Sequence, residues 1–401
     1  MTAPIQGYLR SDGRIGIRNV MVVVYLVECA HHVARKIAAP FEDDGVHVLG
    51  FPGCYPNDYA NTIMEKLCTH PNVGGVLLVS LGCESFDRYT LARHVRDSGR
   101  PVKTITIQQT GGTRTSVEEG RQWVRETLPA LASVPRAPMD VSDLIVGTIC
   151  GGSDGTSGIT ANPAMGRAFD FLIENGARCI FEETGELIGC ETIMAERAAT
   201  PELGHLLRET VEKAARYYAT LGYGSFAAGN ADGGLTTIEE KSMGAYAKSG
   251  SSPIAGIIKP GDVPPRGGLY LLDVVPDGEV RFGFPNINDT AEIVEMIACG
   301  CHVILFSTGR GSVVGSAISP VIKVCANPET FRRMSGDMDV DAGRILEGRA
   351  DLDDVGHEIE DLVLAVARGG RTKSEDLGHH EFVLTYKSFE PIGPGCLPSP
   401  T

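Results

Sequence analysis

No two of the eleven cysteines form a C-x-x-C pair, so a preassembled zinc ribbon is excluded. Their odd number, spread from Cys29 to Cys396, argues against a disulfide framework and for free thiols. No apolar run approaches the roughly 18 to 20 residues that span a bilayer. The longest, VMVVVYLVECA, is too short and too far inside the chain to be a signal peptide. MTAPIQGYLR carries no signal architecture, so a cytoplasmic protein without membrane association is expected. Positive charge is also scarce: 36 Lys and Arg stand against 51 Asp and Glu, for a formal charge of −15. That balance argues against nucleic acid as a partner, since phosphate binding would want a basic stripe, while a local cationic pocket can still receive an anionic small substrate. No glycine cluster ends in G-K-S/T, no dinucleotide fingerprint opens the first βαβ unit, and no H-E-x-x-H occurs.

What is present is an α/β pattern. A length of 401 residues suits two or three domains or one large α/β enzyme with lobes, and 42% hydrophobic with 22% charged residues is ordinary for a globular protein. NVMVVVYLVEC, HVLGFPG, VGGVLLVSLGCE and VKTITIQQT read as strands separated by amphipathic helices, the clearest being SVEEGRQWVRETLPALAS. Near-continuous apolar strands alternating with helices predict mainly parallel sheets covered by helices. ASVPRAPMDVSD, with two prolines, reads as the link between an N-terminal lobe over 1–138 and a C-terminal lobe over 139–401. LIVGTICGG opens the second lobe; ARCIFEET, GLYLLDVVP and CHVILFSTG continue it as strands, with helices through ANPAMGRAFDFLIENG, from Pro201 to Leu221, and through NDTAEIVEMIACG.

Glycine is abundant, 49 of 401 residues, and gathers at strand ends in CGGSDGTSG, GNADGG and STGRGSVVG. In open parallel sheets, ligands bind beyond the carboxyl ends of strands, where backbone amides and helix N-termini converge. Three such clusters point to one anionic ligand held by several loops. Cys83 and Glu84 end VLLVS, Cys150 ends LIVGTI ahead of Ser153 and Asp154, and Cys54 follows another strand in GFPGCYPND. Acidic neighbours disfavour an activated thiolate but suit a metal, since thiolates and carboxylates both ligate Fe(II) or Zn. Packing by small apolar thiols is the other reading of each cysteine. In GNADGGLTTIEEKSMG, Asn230 lies in the glycine loop, and Glu239 and Lys241 lie on the helix that follows, placed to hold an anion or accept a proton. FEETGELIGCE places Glu182, Glu183 and Glu186 just past a strand, as a second acidic set or a solvated turn. Arg310, between two glycines after VILF, suits a bidentate grip on a carboxylate or sulfonate.

GYLRSDGRIGIRN, LGCE, CGGSDGTSGITANPAMG, GGLTTIEEKSMGA and TGRGSVVGSAISPVIKVCANPETFRRMSGDMDVDAG together resemble the large domain of the altronate and galactarate dehydratases. The resemblance runs from Gly7 to about Gly348. It implies a lyase that uses Fe(II) or a similar divalent metal to eliminate a β-substituent from a 2-hydroxy acid, leaving a 2-keto acid. Two motifs depart from the family: GFPGCYPND keeps only a glycine and Cys54 of a His-Gly-Ser-Gly-Cys-Gly turn, and SFAAGNADGG lacks the prolines and lysine of an Asn-Pro-Ser-Pro-Gly-Asn-Lys loop. With GYLRSDGR beginning at residue seven, the chain is similar to the beta subunits of sulfolactate sulfo-lyases, which work with a separate small subunit. Sulfite release from (2R)-sulfolactate to give pyruvate is therefore expected, with dehydration of altronate or galactarate as the alternative. On this reading Cys54, Cys83, Glu84 and Cys150 stand on the metal side. Arg310, Ser153, Asp154 and Asn230 bind the substrate, and Lys241, Glu239 and Arg310 are catalytic. The site is expected between the strand ends of the two lobes, in an oligomer.

Overall fold

The computed structural model describes residues 4–182, 184–221, 226–278 and 288–387. These form two compact units, one from residues 6–138 with the segment from Phe382, the other from Met139–Glu381 with residues up to Ile5. Both are α/β units with parallel main sheets, as the alternating pattern predicts.

In the first unit, β1 (Ile5–Leu9) and β2 (Ile15–Gly16) make an antiparallel ribbon. The main sheet is β3 (Val20–Tyr25), β4 (Val46–Gly50), β5 (Val73–Ser80) and β6 (Val102–Thr106), in the order β4-β3-β5-β6. All eight residues of β5 are buried, because helices cover both faces. The chain moves from β3 outward to β4 but from β5 outward to β6. Right-handed crossovers then put the connecting helices on opposite sides. Helices Glu28–Ala38 and Thr113–Ala132 pack together, as do Asp58–Cys68 and Arg88–Asp97. The proline-containing link supplies a strand of its own, β7 (Arg136–Met139), beside β1. Pro138 is tolerated there because β7 is an edge strand. Residue 386 closes on the loop after β4: the Tyr386 ring meets Phe51 edge-on at 5.2 Å, and Gly53 has no room for a side chain beneath the Tyr386 hydroxyl.

The second unit contains β8 (Ile145–Cys150), β9 (Arg178–Phe181), β10 (Ile254–Ile258), β11 (Gly268–Leu272), β12 (Val303–Thr308), β13 (Val321–Cys325) and β14 (Val340–Asp341). Among the described residues they form one parallel sheet, ordered β10-β11-β9-β8-β12-β13-β14. β10, β13 and β14 escape a reading of hydrophobic runs. β13 carries Lys323 in its centre, fully buried with its ammonium 3.1 Å from Nδ1 of His379. From β8 the chain departs toward β9, and from β12 toward β13, so the loops leaving these neighbours diverge and open a crevice at their carboxyl ends. No described helix is long and apolar enough to cross a membrane.

The helix Ala161–Glu174 fixes one wall of that crevice. Gly166 lies so close to the turn at 247–249 that an added Cβ would fall 2.3 Å from the Ala247 carbonyl oxygen. One turn later, buried Asp170 accepts from the amides and hydroxyls of Ser251 and Ser252 at 2.7–2.9 Å. This carboxylate holds the segment that carries Lys248. Asp170→Ala would leave four donors without their acceptor and should lower unfolding free energy by about 3 kcal/mol in urea titration, Asp170→Asn by less.

Candidate active site at the carboxyl ends of β8 and β9

β8 ends on Cys150, opposite Ser307 of β12. The loops beyond are drawn together by backbone alone: Gly151 N–H donates to the Ser307 carbonyl at 3.0 Å, and Arg310 N–H to the Gly152 carbonyl at 2.9 Å. Gly152 has a φ of +62°, a left-handed conformation that glycine adopts without strain. Side chains from elsewhere fill the remaining space. A Cβ on Gly151 would lie 2.1 Å from Oδ2 of Asp289, and one on Gly309 2.1 Å from Oδ1 of Asp154.

Five buried side chains meet at the end of β8: Cys150, Ser153, Glu186, Lys241 and Lys248. The Cys150 thiol donates to Oε2 of Glu186 at 3.1 Å and accepts from Lys248 Nζ and Ser153 Oγ, each at 3.4 Å. The other Glu186 oxygen is ion-paired with Lys241. Glu186, Lys241 and Lys248 arrive from three different elements. Glu186 lies in the turn Thr184–Leu187 after β9, and Lys241 on the helix Ile238–Tyr246 capped by Thr237, whose hydroxyl accepts from Glu240 N–H. That helix comes close because Gly158 faces Gly244 backbone to backbone. Lys248 sits on the turn that Asp170 secures. Asp289 opens the helix Asp289–Ala298, where Asn288 takes the capping role by accepting from Thr290 N–H at 2.9 Å. The Asp289 carboxylate is thereby left over Gly151.

The charges define what this cluster can do. Burial, and then the Glu186 charge, push the Cys150 thiol up to about 11, against the opposing pull of Lys248 and Lys241, so it stays protonated at neutral pH. Burial opposes the Lys241 ammonium, but Glu186 and Cys150 more than offset this and hold its pKa above the ordinary lysine value. Burial and Glu186 raise the Asp289 carboxyl to about 6, despite Lys241 and Lys248. The site thus holds two ammonium groups, one paired with Glu186 and one on Cys150, a neutral thiol, and a carboxylate tuned toward neutral pH.

The structure brings together only part of the expected set. Lys241, Cys150 and Ser153 belong to the cluster. Glu239 does not: two positions before Lys241 on one helix, it faces away, exposed, with its stem against Gly189. Asp154 is buried and accepts from Thr156 N–H and Oγ1 (2.9 and 2.6 Å), Ser157 Oγ (3.3 Å) and Asn327 Nδ2 (3.1 Å), so it shapes the loop. Asn230 does likewise, accepting from Ala227 N–H and donating to the Ser153 carbonyl at 3.2 Å. Arg310 is exposed, its guanidinium donating to the Gly229 carbonyl. Cys54, Cys83 and Glu84 lie in the first unit. There both thiols are exposed, while Glu84 is buried, accepting from Ser80 Oγ and from Gly82 N–H at 2.8 Å. Glu182 is buried; Glu183 falls outside the described residues. Lys248 and Asp289 are the residues that sequence reasoning missed. Asp289 reads as an ordinary acid in a helix's first turn, and the signal for Lys248 was a lone lysine among small residues in AYAKSGSS.

A divalent metal is what the resemblance implies, and the expected donors do not fit one as arranged within either unit. Cys150 is a neutral thiol flanked by two ammonium groups, and Glu84 is committed to its own strand end. Among the described residues no group of three or more His, Cys, Asp or Glu is placed to share a metal ion.

Comparison with known proteins gives a consistent relationship. Residues 7–132 match the family described as D-galactarate dehydratase/Altronate hydrolase, second domain, and residues 141–389 match D-galactarate/Altronate dehydratase, C-terminal. The chain is 34% identical over 395 residues to the (2R)-sulfolactate sulfo-lyase subunit beta of Chromohalobacter salexigens, covering 94% of this chain and 96% of that protein. It is 32% identical over 397 residues to the altronate dehydratase of Bacillus subtilis, covering 94% and 77% respectively. With the galactarate dehydratase (L-threo-forming) of Escherichia coli it shares 31% over 409 residues, covering 95% and 76%.

The electrostatic arrangement sets thiol reactivity. At pH 8, iodoacetamide should label the exposed Cys29, Cys54 and Cys83 and spare Cys150, as read by peptide mass spectrometry. Glu186→Gln removes a charge that raises the Cys150 pKa. It should lower that pKa and speed labelling of Cys150 at pH 8 relative to the unchanged protein.

Proposed function

The chain belongs to the D-galactarate/altronate dehydratase family, and from that premise we propose that it is a lyase eliminating sulfite from (2R)-sulfolactate to give pyruvate. The observation that carries the reading is the Asp289 carboxylate near the ammonium groups of Lys241, paired with Glu186, and Lys248, bonded to Cys150, at the end of β8. The ammonium groups hold the substrate carboxylate and the negative charge that spreads onto it as the α-proton leaves. Asp289 accepts that proton; Lys241, held as a cation, is an anion holder rather than the base. The C–S bond then breaks, and its electron pair leaves with sulfite. Arg310 and the amides of the glycine loops grip the sulfonate oxygens. The enol that remains becomes pyruvate by losing its hydroxyl proton and gaining one at the β-carbon, for which the neutral Cys150 thiol is the donor. Asp154 and Asn230 hold the loops that frame the substrate.

Similarity favours the sulfonate because the sulfo-lyase relative is matched over 96% of its length. That relative is named as a subunit, which supports a partner subunit for this chain. The second reading, dehydration of altronate or galactarate, rests on relatives at 30–32% identity and follows the same steps with hydroxide leaving.

Incubation with (2R)-sulfolactate, altronate or galactarate, with and without Fe(II) and with a co-expressed small subunit, should release sulfite and pyruvate from sulfolactate. A keto acid from either sugar acid, with no sulfite from sulfolactate, would move the assignment to the dehydratase. Protonation of Asp289 removes the base, so kcat/KM should fall about tenfold per pH unit below about 6. Asp289→Asn should cut kcat by ~10²–10⁴-fold and abolish that acid limb.

A further inference from the structure

The first unit carries a groove of about 500 Å³, lined from helices Glu28–Ala38 and Thr113–Ala132 by His32, Lys36, Arg114, Glu118, Arg121 and Arg125, among others. Four cations face one carboxylate, in a chain whose formal charge is −15. Arg114, Glu118, Arg121 and Arg125 follow each other at helical spacings of three and four, so they share one face of their helix. The adjoining face carries Val124 and Leu131 into the core. Glu118 stands four positions after Arg114 and three before Arg121, so one carboxylate serves both arginines, and Arg121 and Arg125 remain as like charges one turn apart. Cations still outnumber acids along the groove by four to one. Lys36, Arg114 and Glu118 make no side-chain hydrogen bond or ion pair among the described residues. Arg121 is instead fixed in place, its Nε and one terminal nitrogen donating to the Lys36 carbonyl at 3.0 and 2.6 Å. Arg125 stacks over Phe41 at 5.7 Å.

The length of this stripe selects among anions. From Arg114 to Arg125 the helix rises ~16 Å at 1.5 Å per residue. An acid of three to six carbons spans less than half of that, whereas an extended chain covers it in about five residues, with alternate side chains ~7 Å apart on one face. We propose that this groove docks an extended acidic segment of a partner polypeptide, with Asp or Glu at alternating positions. The inference goes beyond the lyase reading and does not depend on turnover.

Fluorescence anisotropy with labelled hexaglutamate tests it. Binding at low salt should weaken several-fold at 300 mM salt, as screening requires. The double reversal Lys36→Glu with Arg114→Glu, on two exposed side chains, should lower affinity at least tenfold at unchanged melting temperature. The control reversal Arg93→Glu with Arg96→Glu, on another helix, should leave it within twofold. Absence of binding, or equal loss in both doubles, would overturn the proposal. So would displacement of the peptide at equal concentration by inorganic phosphate or citrate, which would make this a small-anion site, or by a single-stranded oligonucleotide.

Discussion

Glu186 and Lys241 are both withdrawn from water, and a carboxylate and an ammonium buried apart would each carry several kcal/mol of lost hydration. Their pairing is the constraint around which the end of β8 is organised. For the pair to form, the helix bearing Lys241 must approach the loop after β8 until backbones touch, which only Gly158 against Gly244 permits. Once formed, the pair sets the character of its neighbours. Burial first, and then the Glu186 charge, keep the Cys150 thiol neutral and make Asp289 more basic, while the two lysines limit both shifts. The ionisation of Cys150, Lys241 and Asp289 is thus set by their own burial and then by the charge of Glu186.

The fold was largely legible because parallel strands buried on both faces leave long β-branched runs, and these appear intact in VMVVVY, VGGVLLVS, IVGTIC and VILFST. Strands were missed where burial is achieved by other means. β13 buries a lysine in its centre, and β7 contains a proline that an edge position tolerates. The site was legible only in part, for a related reason. Glycine clusters announce a strand end facing a ligand, but they do not say which distant side chain fills the space that glycine leaves. Asp289 occupies the room above Gly151, and Asp154 the room beside Gly309, and neither relation has a trace in local spacing. Adjacent charges on one helix also misled: Glu239 and Lys241 look alike in sequence, yet a step of two positions sends them to different sides.

The two units show how similar scaffolds carry different chemistry. In the first, thiols at strand ends are exposed and the nearby carboxylate is absorbed by its own turn. In the second, the thiol is sealed within a polar cluster. The first unit's most distinctive feature lies instead on its outer helices, where positive charge is concentrated in a chain otherwise rich in acids. Charge segregated in this way influences encounter more than stability, because it guides an oppositely charged surface before contact.

The closure of Tyr386 over the loop after β4 gives the chain an order of assembly. Residues 6–138 leave the ribosome early, but the aromatic contact that covers Gly53 and Phe51 is translated more than two hundred residues later. The second unit, by contrast, has nearly all its sequence in hand by Glu381. During synthesis the earlier-made body therefore waits, with one apolar ring uncovered, while the later-made one can already complete its own core.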